Sequence, residues 1–332
     1  MKPALLLAFA ATLLVDAAPA AERKGCQMLT LEEWPVRDSF YRPVIDGAIN
    51  GHKIGIMLDT GATHSVVWRD AVDRLGLRTF QAPNQRYFTV EGEEQVDATD
   101  IAELRIGKAV RKNWRALVFG QHPIGGDVAL LLGDDFFGQV DIEFNLAARA
   151  VKLFKANNCE GAWLGYWGKD VLAIPLESAE KIQFYVKING KPVLAMLDSG
   201  AAVSKMSLEA AAELGVTPRS AGVVSGGCVR TPTRNLYDTW IGTFRSFAIG
   251  DEVIRDAKLY FAPLFNRMRK EELGSVLRRR LDGLPDMLLG ADFLHSHRVL
   301  VSHSQRRMYF SYAGGTVFPV ETGKPCSESQ TK

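Results

Sequence analysis

Hydrophobic and polar residues alternate along many short stretches of this chain, a pattern typical of strands with one buried face. Ile101–Ile106 and Ala150–Phe154 are clear examples. Asn50-Gly51 and Asn189-Gly190 each separate two apolar runs, which predicts a tight hairpin turn at both places. The pattern therefore predicts a chain rich in β-structure.

Helical spacing of apolar residues is confined to a few segments. Two short helices are predicted at Trp68–Leu75 and Ser207–Leu214, because a glycine closes each of them. A longer helical pattern covers Pro263–Gly283, and its other face is rich in arginine. A solvated surface is the expected interpretation, and an anion or partner site is the alternative.

The two short helices belong to an internal repeat. Residues 49–76 and 188–215 align without a gap at an offset of 139 and are identical at 12 of 28 positions. Further along, Leu131–Phe136 matches Leu288–Phe293. The chain is therefore expected to contain two copies of one β-rich unit.

The repeat suggests boundaries for the units. The first lobe is expected at 27–158 and the second at 171–320, with a C-terminal tail at 321–332. Residues 159–170 are rich in glycine and aromatic side chains, which is typical of a linker.

The N-terminus carries an apolar run, Ala4–Val15, between Lys2 and the small residues Ala18-Pro19-Ala20. This order is that of a secretory signal peptide, and the run is shorter than the roughly 20 residues of a membrane-spanning helix. Residues 1–20 are therefore predicted to be a signal peptide on an exported protein, either periplasmic or secreted. No integral membrane segment is expected after cleavage.

Composition and charge exclude several classes of protein. The 332 residues are 47% hydrophobic and 23% charged, as in an ordinary globular protein. The chain has 40 basic and 38 acidic residues, so its net charge is close to zero and no nucleic-acid partner is expected.

Four cysteines remain after the predicted cleavage: Cys26, Cys159, Cys228 and Cys326. Export would place them in an oxidising compartment, where disulfides persist. Four cysteines allow three pairings, and the sequence alone does not choose among them. Cys26 and Cys159 bracket the first lobe and are the first expected pair.

One motif in each copy carries candidate chemistry: Asp59-Thr60-Gly61-Ala62 and Asp198-Ser199-Gly200-Ala201. Each follows an apolar strand, and each is answered downstream by Leu-Leu-Gly, ending at Gly133 or Gly290. An aspartate that only caps a helix would explain neither the strand nor the later glycine.

These paired motifs resemble those of the retropepsin-like aspartic proteases, here as a tandem duplication in one exported chain of bacterial type. The resemblance covers residues from about 40 to 318. It implies an all-β fold of two tandem retropepsin-like β-barrel lobes of six or seven strands, with short helices. The active site would lie in the cleft between the lobes, as in the two-lobe pepsin-like arrangement.

By this resemblance, Asp59 and Asp198 form a catalytic dyad that shares one proton. One carboxylate would activate a water, and the neutral carboxyl would donate to the scissile carbonyl oxygen. The chemistry requires no metal and no cofactor. The residues expected to support the active-site loops are Thr60, Gly61, Ala62, Ser199, Gly200 and Ala201, with Gly133 and Gly290 behind them.

The same family closes a β-hairpin flap over its substrate. The candidate in the first half is Tyr87–Val96, around Glu91 and Gly92. In the second half, Ser225, Gly226 and Gly227 would form a flexible tip. Either segment could be an ordinary hairpin, and which half supplies the working flap stays open.

The sequence thus predicts an aspartic endopeptidase acting on peptides or proteins. One alternative is an envelope protein that binds peptides without cutting them, and another is a protease whose lobes pair between chains. A monomer is favoured because both motifs lie in one chain, and a homodimer is possible.

The residue after each Asp-Thr/Ser-Gly motif also bears on the pH of activity. Ala62 and Ala201 stand where pepsin-like enzymes commonly carry a hydroxyl that donates to the carboxylate. Without this donor the ionised form is less stabilised, so the dyad should titrate at higher pH. An optimum at roughly pH 4–6.5 is expected.

Overall fold

The computed structural model describes residues 25–121, 126–178, 180–265 and 283–329. The predicted signal peptide lies outside these residues, as does most of the predicted helix at Pro263–Gly283. Within the described ranges, no helix has the length and apolar character needed to cross a membrane.

The first half of the chain forms a closed β-barrel. Strands β3, β4, β9, β5, β8 and β7 follow one another around it, and β3 closes it by pairing with β7. β2 extends the sheet at one side, and β6 forms a hairpin with β7. The strands are β1 (Gln27–Pro35), β2 (Arg37–Ser39), β3 (Arg42–Ile49), β4 (His52–Leu58), β5 (Val66–Trp68), β6 (Thr79–Thr89), β7 (Gly92–Ile106), β8 (Ala109–Phe119), β9 (Val128–Leu132), β10 (Asp141–Asn145) and β11 (Ala150–Asn157).

The second half repeats this arrangement. Strands β13, β14, β19, β15, β18 and β17 form the barrel, which β13 closes by pairing with β17. β16 forms a hairpin with β17, as β6 does with β7. The strands are β12 (Leu172–Pro175), β13 (Gln183–Ile188), β14 (Lys191–Leu197), β15 (Lys205–Ser207), β16 (Val224–Arg230), β17 (Leu236–Ile249), β18 (Glu252–Ala262), β19 (Met287–Leu289), β20 (His297–Ser302) and β21 (Arg307–Tyr312).

The helices within the described ranges are short and lie at the ends of strands. They are α1 (Arg69–Arg74), α2 (Asp134–Phe137), α3 (Leu208–Glu213), α4 (Ala291–Ser296) and α5 (Cys326–Ser329), with a 3₁₀ turn at Leu146–Ala148. α1 and α3 occupy the two positions predicted from the repeat, each within one residue of the expected ends. The predicted all-β fold with two barrel lobes is confirmed.

A third sheet joins the two halves, and the sequence pattern did not predict it. Its strand order is β1-β11-β10-β20-β21-β12, so it takes strands from both halves. β10 pairs with β20 through Ile142 and Val301, which are both fully buried. One continuous apolar core therefore runs through both barrels and the shared sheet. The predicted lobe and linker boundaries stay predictions.

The four cysteines form two disulfides. Cys26 bonds to Cys159, which confirms the first expected pair. Cys228 bonds to Cys326 and ties the C-terminal segment to the second-lobe hairpin β16–β17. Each disulfide closes a long loop, of 133 and 98 residues in sequence separation, and therefore restricts the unfolded chain considerably.

Candidate active site

Each candidate aspartate lies immediately after a buried central strand. β4 runs parallel to β9, and β14 runs parallel to β19, at equivalent places in the two barrels. The backbone N–H of Asp59 donates to the carbonyl of Leu132 at 2.9 Å, and that of Asp198 donates to Leu289 at 2.9 Å. The barrel strands thus fix where each aspartate leaves the sheet.

Backbone N–H groups of the following turn point at each carboxylate. Gly61 and Ala62 donate to Oδ1 of Asp59 at 3.0 and 3.1 Å. Ala201 donates to Oδ1 of Asp198 at 2.9 Å. These donors orient the carboxyl groups and stabilise their ionised forms.

The two loops are joined to each other by buried hydroxyl groups. Thr60 donates its hydroxyl to the carbonyl of Leu197 at 2.8 Å and accepts from the N–H of Ser199 at 3.1 Å. Ser199 donates to the carbonyl of Leu58 at 2.8 Å and accepts from the N–H of Thr60 at 3.0 Å. Four reciprocal bonds therefore hold the two loops together within one chain.

The glycines of the motif allow the two carboxyl groups to approach closely. A Cβ on Gly61 would lie 2.6 Å from the carboxyl carbon of Asp198, and a Cβ on Gly200 would overlap with the carboxyl group of Asp59. Each glycine therefore faces the aspartate of the other lobe. The two carboxyl groups are within hydrogen-bonding reach of each other.

The downstream glycines pack directly behind the active-site loops. A Cβ on Gly133 would lie 2.8 Å from the carbonyl carbon of His64, and one on Gly290 would lie 2.7 Å from that of Val203. Both contacts are too short for any side chain, so glycine is required at both positions.

The surroundings of the dyad favour the neutral acid. Burial raises the pKa of Asp59 well above its usual value, and the nearby charge of Asp198 raises it further. Burial also raises the pKa of Asp198, but the N–H of Ala201, the carboxyl of Asp59 and the charge of Arg42 oppose this. The two carboxyl groups titrate as a pair.

Arg42 is a member of the site that the sequence analysis missed. Its Nε donates to the carbonyl of Gly200 at 2.6 Å, so this first-lobe side chain reaches the second active-site loop. The offset of 139 relates Arg42 to Lys181, which also lines the cleft. The basic residue at the same position of both copies was the sequence signal that could have identified Arg42.

A cleft of about 500 Å³ opens above the dyad. Much of its lining is aromatic or aliphatic, with Trp68, Tyr87 and Phe119 on the first-lobe side. Tyr87 packs against Phe119 with the ring centroids 4.7 Å apart. Burial, together with the charges of Asp59 and Asp198, raises the pKa of Tyr87 well above its usual value, so its hydroxyl stays protonated.

The hairpin β6–β7 covers the cleft from the first lobe. Phe88, Thr89 and Val90 line the cavity, whereas Glu91 and Gly92 lie at the turn and start of β7. The carboxylate of Glu91 accepts a hydrogen bond from the hydroxyl of Thr233, in the turn of the second-lobe hairpin. The backbone N–H of Phe265 donates to the carbonyl of Val90 at 2.7 Å.

The tip predicted for the second-lobe hairpin is wrong in position. The turn of β16–β17 lies at 231–235, and Thr231 and Pro232 are the turn residues that line the cleft. Ser225, Gly226 and Gly227 lie at the other end of β16.

Contacts with the C-terminal segment explain those glycines. Gly226 forms a bridge with Gly323, and a Cβ on Gly226 would lie 2.7 Å from the hydroxyl of Thr239 and 2.8 Å from the ring of Tyr260. The small residues thus accommodate a packed strand crossing and do not form a flexible tip.

A second pair of matched residues supports each active-site loop. Ser65 bonds to Asp135 behind the first loop, and Ser204 bonds to Asp292 behind the second. Both serines and both second aspartates are identical in the aligned repeats, and that identity was the signal that could have identified them. Among the described residues, no group of three His, Cys, Asp or Glu side chains is placed to hold a metal ion.

The family model described as "Aspartyl protease" matches the chain twice, at residues 45–136 and 184–293. Together the matches cover more than half of the chain and include both Asp-Thr/Ser-Gly motifs with their downstream glycines. The chain belongs to the aspartyl protease family. The family predicted from the sequence is confirmed, with one family unit in each half.

Two solved structures are similar to the chain. A retropepsin-like aspartic protease from Rickettsia conorii has 19% sequence identity and a TM-score of 0.27, over 40% of this chain and 95% of that one. An aspartic proteinase from Irpex lacteus has 11% identity and a TM-score of 0.43, over 85% of this chain and 97% of that one. No curated protein matches the chain.

Proposed function

We propose that this protein is an aspartic endopeptidase that hydrolyses peptide bonds with a water activated by Asp59 and Asp198. The observation that carries the proposal is the mutual approach of the two carboxyl groups. Gly61 and Gly200 each pack against the aspartate of the other lobe, and the Thr60–Ser199 bonds hold the loops together. Two carboxyl groups so close cannot both ionise, and this is the state required for concerted acid–base catalysis.

The two aspartates have different roles in the resting enzyme. Arg42 reaches the loop of Asp198, and its positive charge favours the ionised form of that carboxyl group. The charge of Arg42 also acts on Asp59, but it acts more strongly on Asp198, so we assign the proton to Asp59. Asp198 is therefore the base, and Asp59 is the acid.

The reaction follows from this assignment. Asp198 accepts a proton from the water as the water oxygen bonds to the scissile carbonyl carbon, and Asp59 donates its proton to the carbonyl oxygen. When the tetrahedral intermediate collapses, the C–N bond breaks and the leaving nitrogen takes a proton from Asp198. The diol oxygen returns its proton to Asp59, which restores the starting state.

Substrate entry requires the roof of the cleft to open. Glu91 and Thr233 connect the two hairpin tips, and Gln121 accepts from the guanidinium of Arg234 nearby. The bond from Phe265 to Val90 adds a backbone link. Because both lobes contribute to this roof, both hairpins act as flaps in the proposed enzyme.

Cleavage of a random peptide library with and without a general aspartic-protease inhibitor tests the proposal. Inhibitor-sensitive cleavage that is lost in Asp59→Asn and in Asp198→Asn would support it. Asp251→Asn is the matched control, since Asp251 is an exposed carboxylate in the β17–β18 turn. A folded wild-type protein that binds library peptides and cuts none of them would favour the binding-only alternative.

We also propose that the dyad forms within one chain and that the protein acts as a monomer. The reciprocal Thr60–Ser199 bonds support the internal pairing. If like lobes paired between chains, each single Asp→Asn variant would keep one intact site, and only the double variant would lose all activity. Light scattering under assay conditions gives the oligomeric state directly.

Export to the periplasm or the medium is part of the proposal. The pairing of all four cysteines supports it, because disulfides persist in oxidising compartments. Fractionation of expressing cells, with thiol titration of the purified protein, tests this point. Retention in the cytoplasm with four free thiols would reject it.

A further inference from the structure

The cleft concentrates positive charge. Of the described residues, those that line it include four basic side chains, and its only acids are the dyad partners, which share a proton. The formal charge of the whole chain is only +2, so this excess is local. The four basic residues are Arg42, Lys181, Lys205 and Arg230.

Three of these cations form no direct ion pair with a carboxylate of the described residues. Among the described residues, no acidic oxygen lies within 4.0 Å of the charged groups of Lys181, Lys205 or Arg230. The ammonium of Lys205 lies 6.0 Å from the ring centre of Tyr237, at the outer limit of a cation–π contact, which leaves its charge unneutralised. Lys205 acts at longer range on Asp292, and Lys181 acts on Asp134, but no direct ion pair within the described residues neutralises the three cations. A ligand carboxylate can therefore still pair with them.

Comparison of the two lobes shows that the fold does not require a cation at Lys205. The repeat offset of 139 relates Lys205 to Val66, which is fully buried in the first barrel. β5 and β15 occupy the same place in their barrels, each parallel to one strand and antiparallel to another. Since valine packs well at this position of the first barrel, packing of the barrel does not account for the half-buried lysine that faces the cleft in the second.

We infer that the cleft selects peptide segments that carry glutamate or aspartate side chains within a few residues of the scissile bond. The inference rests on the proposed function. The cations come from both lobes, Arg42 from the first and the other three from the second half. An extended peptide in the cleft would therefore have basic side chains within reach on more than one side. A carboxylate there would gain attraction in a cleft partly shielded from water.

Matched peptides test the inference. For one bond found by library cleavage, glutamate is placed in turn at each of the three positions on either side and compared with glutamine, which has nearly the same shape. At pH 6 and low salt we expect kcat/KM to be at least about threefold higher for glutamate at one or more positions. The ratio should fall at high salt, and it should fall again near pH 4, where glutamate becomes protonated.

Variants of the cleft locate the effect. Lys205→Gln and Arg230→Gln should each lower the glutamate-to-glutamine ratio towards one. Lys258→Gln is the matched control, since Lys258 is exposed on β18 and does not line the cleft, and it should keep the ratio. Thermal melting of each variant verifies that it is folded.

Binding to the Asp59→Asn protein separates this inference from the proposed function. Fluorescence anisotropy with labelled glutamate and glutamine peptides reports selection without cleavage. Cleavage with a ratio of one at every position would overturn the acidic preference and leave the protease intact. Tighter binding of glutamate peptides, without any cleavage by the wild type, would support the acidic preference and reject the protease function. If neither assay showed a difference between glutamate and glutamine peptides, the acidic preference would be rejected.

Discussion

The two lobes support their active-site loops with the same serine–aspartate pair in different surroundings. Ser65 donates its N–H and hydroxyl to Asp135 at 2.8 and 2.6 Å, and Ser204 donates to Asp292 at 2.8 and 2.6 Å. Yet Asp292 is only 2% exposed, whereas Asp135 is open to solvent.

The two Ser–Asp pairs have the same hydrogen-bond distances, but they should differ in the pKa of the aspartate and in their contribution to stability. Burial raises the pKa of Asp292 to about 6, so the second lobe carries a carboxyl group that titrates near neutral pH. Bulk water can replace a lost bond at the exposed Asp135, whereas Ser204, the partner of Asp292, is only 1% exposed. The second lobe should thus depend more strongly on its pair, although the geometry of the two pairs is the same.

The largest expected effect is a loss of activity that should be similar for the active-site aspartate of either lobe. Asp59→Asn and Asp198→Asn should each lower kcat/KM by about a thousandfold or more, because either change removes half of the shared-proton pair. The measurement is cleavage of a good peptide near pH 5. Near-normal turnover in either variant would contradict a single dyad.

Thermal stability should distinguish Asp59→Asn from the wild type. The folded pKa of Asp59 is raised, so the wild type loses stability as the pH rises from about 4 through that pKa. Asparagine keeps the Oδ1 acceptor and does not ionise. Asp59→Asn should therefore melt at or above the wild-type temperature at pH 7, with a smaller difference at pH 4.

The serine–aspartate pairs give the next largest effect. Asp292→Ala should lower the free energy of unfolding by about 2–4 kcal/mol, because it leaves the N–H and hydroxyl of Ser204 unpaired in the interior. Asp135→Ala should cost about 1 kcal/mol or less. Denaturant unfolding of both variants measures the difference, and equal losses would show that exposure does not decide the strength of the pair.

The difference in stability between the wild type and Asp292→Ala should change with pH in a defined direction. Because the folded pKa of Asp292 lies above its unfolded value, the wild type is stabilised by this group at about pH 4 and loses that advantage as the pH rises through about 6. The stability gap between wild type and Asp292→Ala should therefore narrow from pH 4 to pH 7. Asp134 also has a pKa of about 6, but it is present in both proteins and its effect cancels.

A smaller effect concerns the helices after the active-site loops. Ser207 accepts from the N–H of Ala210 at 3.1 Å and caps α3, whereas the equivalent residue of the first lobe, Trp68, lines the cleft and makes no cap. Ser207→Ala should cost about 1 kcal/mol and lower the melting temperature by about 2–4 °C. An unchanged melting temperature would mean that α3, like α1, does not depend on a side-chain cap.

The smallest expected effect restores the hydroxyl that both active-site motifs lack. Ala62→Ser with Ala201→Ser should move the pH optimum towards acid by about half a unit, because a donor to the ionised carboxylate lowers its pKa. The measurement is the pH profile of kcat/KM. The shift should be greater for Ala62→Ser alone than for Ala201→Ser alone, since Arg42 already favours the ionised form of Asp198. The reverse order would argue against Asp59 as the proton carrier.

Much of the local structure was predictable because it depends on neighbours in the sequence. Strand alternation, the hairpin signals at Asn50-Gly51 and Asn189-Gly190, and the ends of α1 and α3 all follow from short-range patterns. The tip of the second-lobe hairpin was predicted at the wrong place because that prediction, too, used only local composition. Ser225–Gly227 has the composition of a flexible turn, but the tail segment around Gly323 packs against it.

By itself the sequence determined the duplicated β-rich unit and the family, and it identified the two Asp-Thr/Ser-Gly motifs with their downstream glycines. These features follow from residue identity between the two copies, with an offset of 139 for the Asp motifs and of 157 for the downstream glycines. Only the tertiary structure decided that β1, β10 and β11 join β12, β20 and β21 in one sheet, that Arg42 reaches Gly200, and that Lys205 faces the cleft where Val66 is buried. Such contacts join residues far apart in the chain, and they depend on how two closed barrels pack, which no local periodicity encodes.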